Sequence, residues 1–112
     1  MAKVINICDN NYIIPDEYEI EPISTTSVIY IEGKKVQVSN LYRITKYETI
    51  EGVKVESMLF GDLYLFEYAG FSYFVLRYVR NDGKVIKKVY KKPCFSNVNI
   101  QLGKILTEIE NW

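Results

Sequence analysis

The sequence predicts an α+β fold: an antiparallel β-meander of about six or seven strands packed on one C-terminal amphipathic helix. Along most of the chain, short runs of apolar, aromatic and β-branched residues alternate with turn signals, which is typical of an antiparallel sheet. Near the C-terminus the apolar residues change to a helical spacing. With 112 residues the chain is long enough for one hydrophobic core, so residues 1–112 are expected to form a single compact domain.

The first strands are bounded by polar turns and by proline. Residues 3–8 form a candidate first strand, which ends at an Asp-Asn-Asn turn. Residues 12–22 contain two prolines and several acidic side chains, which is typical of an irregular segment or of an edge strand bounded by proline. Residues 27–31 and 35–39 flank a Glu-Gly-Lys sequence, whose glycine supplies the positive φ that a tight hairpin needs.

The middle of the chain continues the meander. Residues 41–50 fit both a helical and an extended spacing, and their β-branched and aromatic side chains favour a strand. A Glu-Gly turn then leads into a strand over residues 53–60. Residues 63–68 are apolar at both parities, which indicates a central strand buried on both faces.

The last elements carry the clearest local signals. Residues 71–80 and 84–92 surround an Asn-Asp-Gly turn, whose Asp-Gly step predicts a hairpin. Pro93 ends the second of these strands. A helix is predicted over most of residues 98–111, where six apolar residues recur at helical spacing: Ile100, Leu102, Ile105, Leu106, Ile109 and Trp112.

The two cysteines, Cys8 and Cys94, lie far apart and form no C-x-x-C pair, so they make neither a zinc motif nor a redox motif. We expect two buried, reduced thiols. The alternative is a disulfide that ties the first strand to the start of the C-terminal helix and so closes a long loop.

Composition excludes several functions. The chain has no histidine, the commonest general base and metal ligand, and it has no P-loop, G-x-S-x-G, S-x-x-K or G-x-G-x-x-G motif. We therefore expect no enzymatic activity, no cofactor and no metal site. The N-terminal apolar run is too short for a signal peptide and no apolar run could span a membrane, so a cytoplasmic protein without membrane contact is expected. Residues encoded by AT-rich codons dominate, which favours a viral or mobile-element origin.

Charge is unevenly distributed although it sums to zero over the chain. Residues 68–104 contain eight basic side chains and one acidic side chain, a net charge of +7, and most of the basic residues lie in one hairpin. A basic hairpin with interleaved tyrosines can follow a phosphate backbone while the rings stack on unpaired bases. This pattern predicts a nucleic-acid-binding surface that prefers single strands, with nine candidate residues: Tyr73, Arg77, Arg80, Lys84, Lys87, Lys88, Tyr90, Lys91 and Lys92.

Two other interpretations stay open. The lysines of this hairpin can instead protect an edge strand from pairing with a neighbouring chain. The acidic segment can dock on a basic protein groove, as an inhibitor or adaptor acting on a host nucleic-acid enzyme does, through Asp16, Glu17, Glu19 and Glu21. A homodimer formed through an edge strand is also compatible with the pattern.

Overall fold

The computed structural model describes residues 3–31, 33–56, 61–95 and 98–110, and within them it contains nine strands and one helix. The predicted class is confirmed, although the described residues contain nine strands rather than six or seven. The elements are β1 (Lys3–Ile7), β2 (Asn10–Ile14), β3 (Tyr18–Ile31), β4 (Lys34–Ile50), β5 (Val53–Glu56), β6 (Asp62–Tyr68), β7 (Phe71–Val79), β8 (Val85–Pro93), β9 (Asn99–Gln101) and α1 (Leu102–Glu110).

The larger sheet is an antiparallel meander in the order β3-β4-β6-β7-β8, and β5 pairs with the end of β4. Strand β6 lies in the middle, as its apolar sequence predicts: Leu63 and Leu65 are fully buried on one face of the sheet and Phe66 on the other. The Asn-Asp-Gly hairpin between β7 and β8 is also confirmed, and Gly83 adopts a φ of 83° there.

The β3–β4 hairpin is longer than the sequence indicates, with strands of 14 and 17 residues. The acidic segment forms its proximal edge, as one of the two interpretations of residues 12–22 predicts, and residues 41–50 are extended. A register shift between Pro22 and Ser24 interrupts the pairing. Strand β5 ends at Glu56, and the rest of the strand predicted over residues 53–60 lies outside the described residues.

A smaller sheet of β1, β2 and β9 corrects two predictions. Residues 10–14 form a strand, where a turn was expected and then either an irregular segment or an edge strand bounded by proline. Residues 99–101 also form a strand, so the helix occupies only residues 102–110 of the predicted span. The reason is tertiary: β9 pairs parallel with β2, and the Asn11 N–H donates to the Val98 carbonyl at 3.0 Å. This pairing overrides the local helical spacing of the sequence.

The smaller sheet and α1 cover one face of the larger sheet, where the main core lies. The rings of Tyr12 and Phe74 meet at 4.8 Å, and Ile105 and Ile109 of α1 are buried against them in the same core. The opposite face of the larger sheet carries a second, smaller cluster that neither element covers.

The expectation of two reduced thiols is wrong, because Cys8 and Cys94 form a disulfide across 86 positions. Their Cα atoms lie 4.8 Å apart, within the range that a disulfide spans. The bond ties the β1–β2 turn to the end of β8, where the Cys94 N–H also donates to the Gly70 carbonyl at 3.0 Å. Both cysteines are half-buried rather than buried. Sequence spacing could not show this proximity, since it arises only when the two sheets pack together.

Candidate nucleic-acid interface

Among the described residues, the face of the larger sheet that the smaller sheet and α1 do not cover forms a groove. Two adjoining cavities of about 710 and 690 Å³ share Ile31, Lys87 and Val89, and together they form one continuous depression. The tip of the β3–β4 hairpin, with Ile31 and Lys34, lines one side, and β8, with Lys87, Val89 and Lys91, lines the other. We call this depression the basic groove.

Aromatic rings form much of the floor of the basic groove. Phe66 and Tyr73 stack with ring centroids 5.3 Å apart and planes inclined by only 5°. Tyr68 and Phe71 pack on Tyr73 at 6.0 and 6.5 Å. Tyr73 is nearly buried beneath these rings, whereas Tyr68 is half-buried and lines the groove directly. The floor therefore presents a packed aromatic surface.

Two further tyrosines line the other end of the basic groove. Tyr64 is half-buried beside Val75, which lies directly opposite it on β7. Tyr30, on the hairpin tip, is 67% exposed. Because Tyr30 has the parity opposite to Ile29 and Ile31, which face the groove, Tyr64 and Tyr68 are the rings that a ligand in the groove can reach.

The cations of the groove lie on neighbouring strands in an arrangement that costs stability. Arg77 of β7 is directly opposite Lys87 of β8, and Lys91 is opposite Tyr73 with its ammonium 5.0 Å from the centroid of the Phe71 ring. Like charges at directly opposed positions of an antiparallel pair repel each other. The pairing of Arg77 with Lys87 is therefore unfavourable for the stability of the sheet.

The nearest carboxylate to this pair in the strand register does not neutralise it. Asp62 of β6 lies opposite Arg77, but its carboxylate accepts hydrogen bonds from Arg43 at 2.6 and 3.0 Å. Within the described part of the chain, no carboxylate forms an ion pair with any of the four groove cations, which are Lys34, Arg77, Lys87 and Lys91. All four side chains are exposed. The groove thus holds four cationic groups around an aromatic and apolar floor.

Only some of the nine sequence-predicted residues meet in the groove. Tyr73, Arg77, Lys87 and Lys91 share its face. Lys88, Tyr90 and Lys92 have the opposite parity and lie opposite three residues of the covered face: Leu76, Phe74 and Ser72. Lys88 also borders one of the two cavities. The alternation of side chains across a strand therefore divides the predicted set between two faces of one sheet.

Tyr90 packs against the main core beside α1 rather than in the groove. Burial, followed by a hydrogen bond that its hydroxyl donates to Glu108, raises the pKa of Tyr90. Arg80 and Lys84 flank the turn of the β7–β8 hairpin. There Asp82 forms an ion pair with Arg80 at 3.1 Å and accepts a hydrogen bond from the Lys84 backbone N–H at 3.0 Å. These contacts give the three residues local structural roles.

Half of the carboxylates of the acidic segment form ion pairs within the chain. Glu19 binds the Lys54 ammonium at 2.6 Å and the Lys3 ammonium at 3.5 Å. The hydrogen bond from Lys54 lowers the pKa of Glu19. Glu21 lies 3.6 Å from the Arg43 guanidinium. Asp16 and Glu17 are exposed at the turn before β3. Two of the four carboxylates proposed to contact a protein partner are therefore engaged in ion pairs.

Sequence analysis missed the part of the groove that lies outside β7 and β8. Lys34, Tyr64 and Tyr68 come from three other positions in the meander, and they line the same two cavities. The parity of β6 could have placed Tyr64 and Tyr68 beside Val75 and Phe71, but no local signal places Lys34 near β8. In the residues that the structure describes, no three cysteine or carboxylate side chains are grouped in a way that could hold a metal ion.

Comparison with known proteins finds no match: no family model fits the chain, and no curated protein or solved structure is significantly similar to it. Function is therefore argued from the groove itself.

Proposed function

We propose that this protein is a non-enzymatic nucleic-acid-binding domain that holds a single strand in the basic groove. The observation that carries the proposal is the group of four exposed cations without ion-pair partners in the described residues, arranged around an aromatic floor. Single-strand-binding proteins combine these two features, because the cations follow the backbone phosphates and the rings stack on successive bases.

A single strand fits this groove better than a duplex does. The aromatic groups lie inside a depression, between the hairpin tip and β8, where only unpaired bases could contact Tyr64 and Tyr68. In a duplex the faces of the bases are stacked on one another, so only the phosphates would be available. Each stacked base contributes about 1 to 3 kcal/mol in single-strand binders, and this sets the expected difference in binding free energy between a single strand and a duplex.

Fluorescence anisotropy with labelled single strands of about 15 nucleotides tests the proposal, with DNA and RNA compared against the matching duplex. Because each phosphate contact releases counterions, four contacts predict that the logarithm of the association constant falls with the logarithm of salt with a slope of about −3. A slope near zero, or equal affinity for single strand and duplex, would contradict the proposed mode of binding.

Charge reversal within the groove gives the sharper test. The double variant Lys87→Glu, Lys91→Glu should weaken binding by at least about tenfold, since two phosphate contacts become repulsive. The matched control is the double variant Lys84→Glu, Lys92→Glu. It changes the net charge by the same amount, at two positions that do not line the basic groove. Equal losses in both variants would show binding by bulk charge and would reject the groove as the site.

The alternative function, a protein-binding inhibitor or adaptor that acts on a host nucleic-acid enzyme, remains a hypothesis. The ion pairs of Glu19 and Glu21 weigh against the acidic segment as its contact surface. If Glu19→Lys, Glu21→Lys abolishes the biological activity while the groove variant retains it, the alternative replaces our proposal.

The cellular location depends on the disulfide. Among the described residues, no helix has the length and apolar character that a membrane crossing needs. Disulfides are rare in the cytosol of mesophiles but are common in oxidising compartments and in the intracellular proteins of hyperthermophiles. A cytoplasmic location, as the sequence predicts, therefore requires that the bond between Cys8 and Cys94 survive cellular reductants. The viral or mobile-element origin stays a prediction.

A further inference from the structure

The two edges of the larger sheet are protected in different ways. Strand β8 forms one edge and carries lysines along its length, which discourage pairing with another strand. Strand β3 forms the other edge, and its proximal half carries Glu19, Glu21 and Pro22. These are common means of blocking an edge, since charges repel a second strand and proline lacks an N–H.

The distal half of β3 has none of this protection. From Pro22 to the end of the strand at Ile31 no residue is charged, and the segment after Pro22 consists of serine, threonine, β-branched and aromatic residues. Val28 is 53% exposed and Tyr30 is 67% exposed. A long, uncharged edge with exposed apolar side chains is a template for pairing with another strand. The hydroxyl of Ser24 accepts a hydrogen bond from the Thr26 N–H at 3.1 Å and closes the proximal end of this edge.

We infer that the distal half of β3 is a dimer interface, at which it pairs antiparallel with the same strand of a second copy. The argument for a second copy is charge: a neutral segment meets its own copy without like-charge repulsion, whereas β8 would oppose lysines to lysines. A two-fold axis at Val28 places this side chain opposite the Val28 of the second copy and Ser27 opposite its Ile29. Both pairs then lie on matching faces of one continuous sheet.

This interface would leave the basic groove open. Side chains of β3 alternate, so Ile29 and Ile31 face the groove while Val28 and Tyr30 project at the other parity. Pairing uses the backbone at the edge, and a two-fold axis perpendicular to the sheet would direct the basic grooves of both copies to the same side. The inference does not depend on the proposed function, because it rests on the sheet edge rather than on the groove cations.

Sedimentation velocity of the full chain over a concentration series tests the inference. We expect a reversible monomer–dimer equilibrium, and Val28→Lys should raise the dimer dissociation constant at least about tenfold by placing two lysines together at the two-fold axis. Val79→Lys is the matched control, since Val79 is also 53% exposed but lies at the end of β7. Thermal unfolding of both variants checks that each one folds.

The outcomes are distinct. A wild-type chain that remains monomeric up to about 1 mM would overturn the inference. So would a dimer that Val28→Lys leaves intact, because its interface would then lie elsewhere, or a dimer weakened equally by both lysine substitutions. Oligonucleotide binding, measured on the wild type and on Val28→Lys, separates the interface from the groove. A monomeric variant that binds a single strand as the wild type does would show that the interface and the groove are independent. If neither protein binds an oligonucleotide, the proposed function fails while the dimer interface stands.

Discussion

Arg77 lies directly opposite Lys87 across the β7–β8 pair, and neither side chain forms an ion pair with a carboxylate of the described residues. A folding requirement alone would favour an opposite-charge pair at these positions, since directly opposed like charges destabilise an antiparallel sheet. We therefore expect a substitution that removes this repulsion to raise the stability of the fold and to weaken nucleic-acid binding.

Lys87→Glu should raise the free energy of unfolding while it weakens single-strand binding. The substitution replaces a repulsive cross-strand pair with an attractive one, a gain of about 0.2 to 1 kcal/mol. Urea denaturation and oligonucleotide anisotropy on the same preparation measure the two effects. Lys87→Gln is the control, because it removes the repulsion without adding attraction and should give an intermediate result in both assays. A variant that loses both stability and binding would show that Lys87 supports the fold instead.

The disulfide should contribute much of the stability of this domain. It closes a loop between Cys8 and Cys94 of 86 positions, for which the loop-entropy relation gives about 4.5 kcal/mol. A reductant should therefore lower the urea midpoint of the wild type strongly. The double variant Cys8→Ser, Cys94→Ser should be less stable and insensitive to the reductant. Two titratable thiols in the unfolded, non-reduced wild type would show that the bond does not form.

The parts of the fold that the sequence predicts are those with local causes. The Asn81-Asp82-Gly83 hairpin follows from turn chemistry, and the central position of β6 follows from its two apolar faces. The parallel pairing of Tyr12 with Ile100 and the approach of Cys8 to Cys94 depend on residues far apart in the chain. No spacing rule connects such residues, and for this reason the sequence favours reduced thiols and gives no sign of the strand at residues 99–101.

The candidate site likewise has one part that the sequence predicts and another part that depends on tertiary packing. The alternation of side chains along β7 and β8 places Arg77, Lys87 and Lys91 on one face. The sequence predicts this placement once the β7–β8 hairpin is assigned. Whether that face is covered cannot be derived, because it depends on which side of the sheet α1 packs. The contribution of Lys34 depends further on where the tip of the long β3–β4 hairpin lies relative to β8.

A side chain at Gly61 should lower the stability of the fold substantially. Its φ is +70°, and a Cβ placed there would lie 2.8 Å from the Tyr78 Cα and would overlap the Arg77 carbonyl oxygen. Gly61→Ala should therefore cost about 2 to 4 kcal/mol, from the left-handed backbone together with the displacement of β7. Gly70→Ala is the matched control: its φ is +79° with no atom within 4 Å, so only the backbone cost of about 1 to 2 kcal/mol applies. Equal unfolding free energies for the two variants, measured in urea, would contradict the close approach of Gly61 to β7.

The buried hydroxyl of Tyr12 should make the fold less stable at high pH. Its ring is fully buried between the two sheets, and burial raises its pKa to about 12 from the ordinary value of about 10. The folded state therefore keeps the phenolic proton at pH values where the unfolded state releases it. This contribution to stability is fully present below about pH 10 and is lost as the pH rises towards about 12, on the order of 2 kcal/mol in total. The comparison of wild type with Tyr12→Phe in urea, from about pH 9 to about pH 11.5, isolates the effect, since Tyr90 and the lysines titrate in both proteins. The wild type should lose stability relative to the variant over this range, and a constant difference between the two would show that the hydroxyl of Tyr12 titrates alike in the folded and unfolded chains.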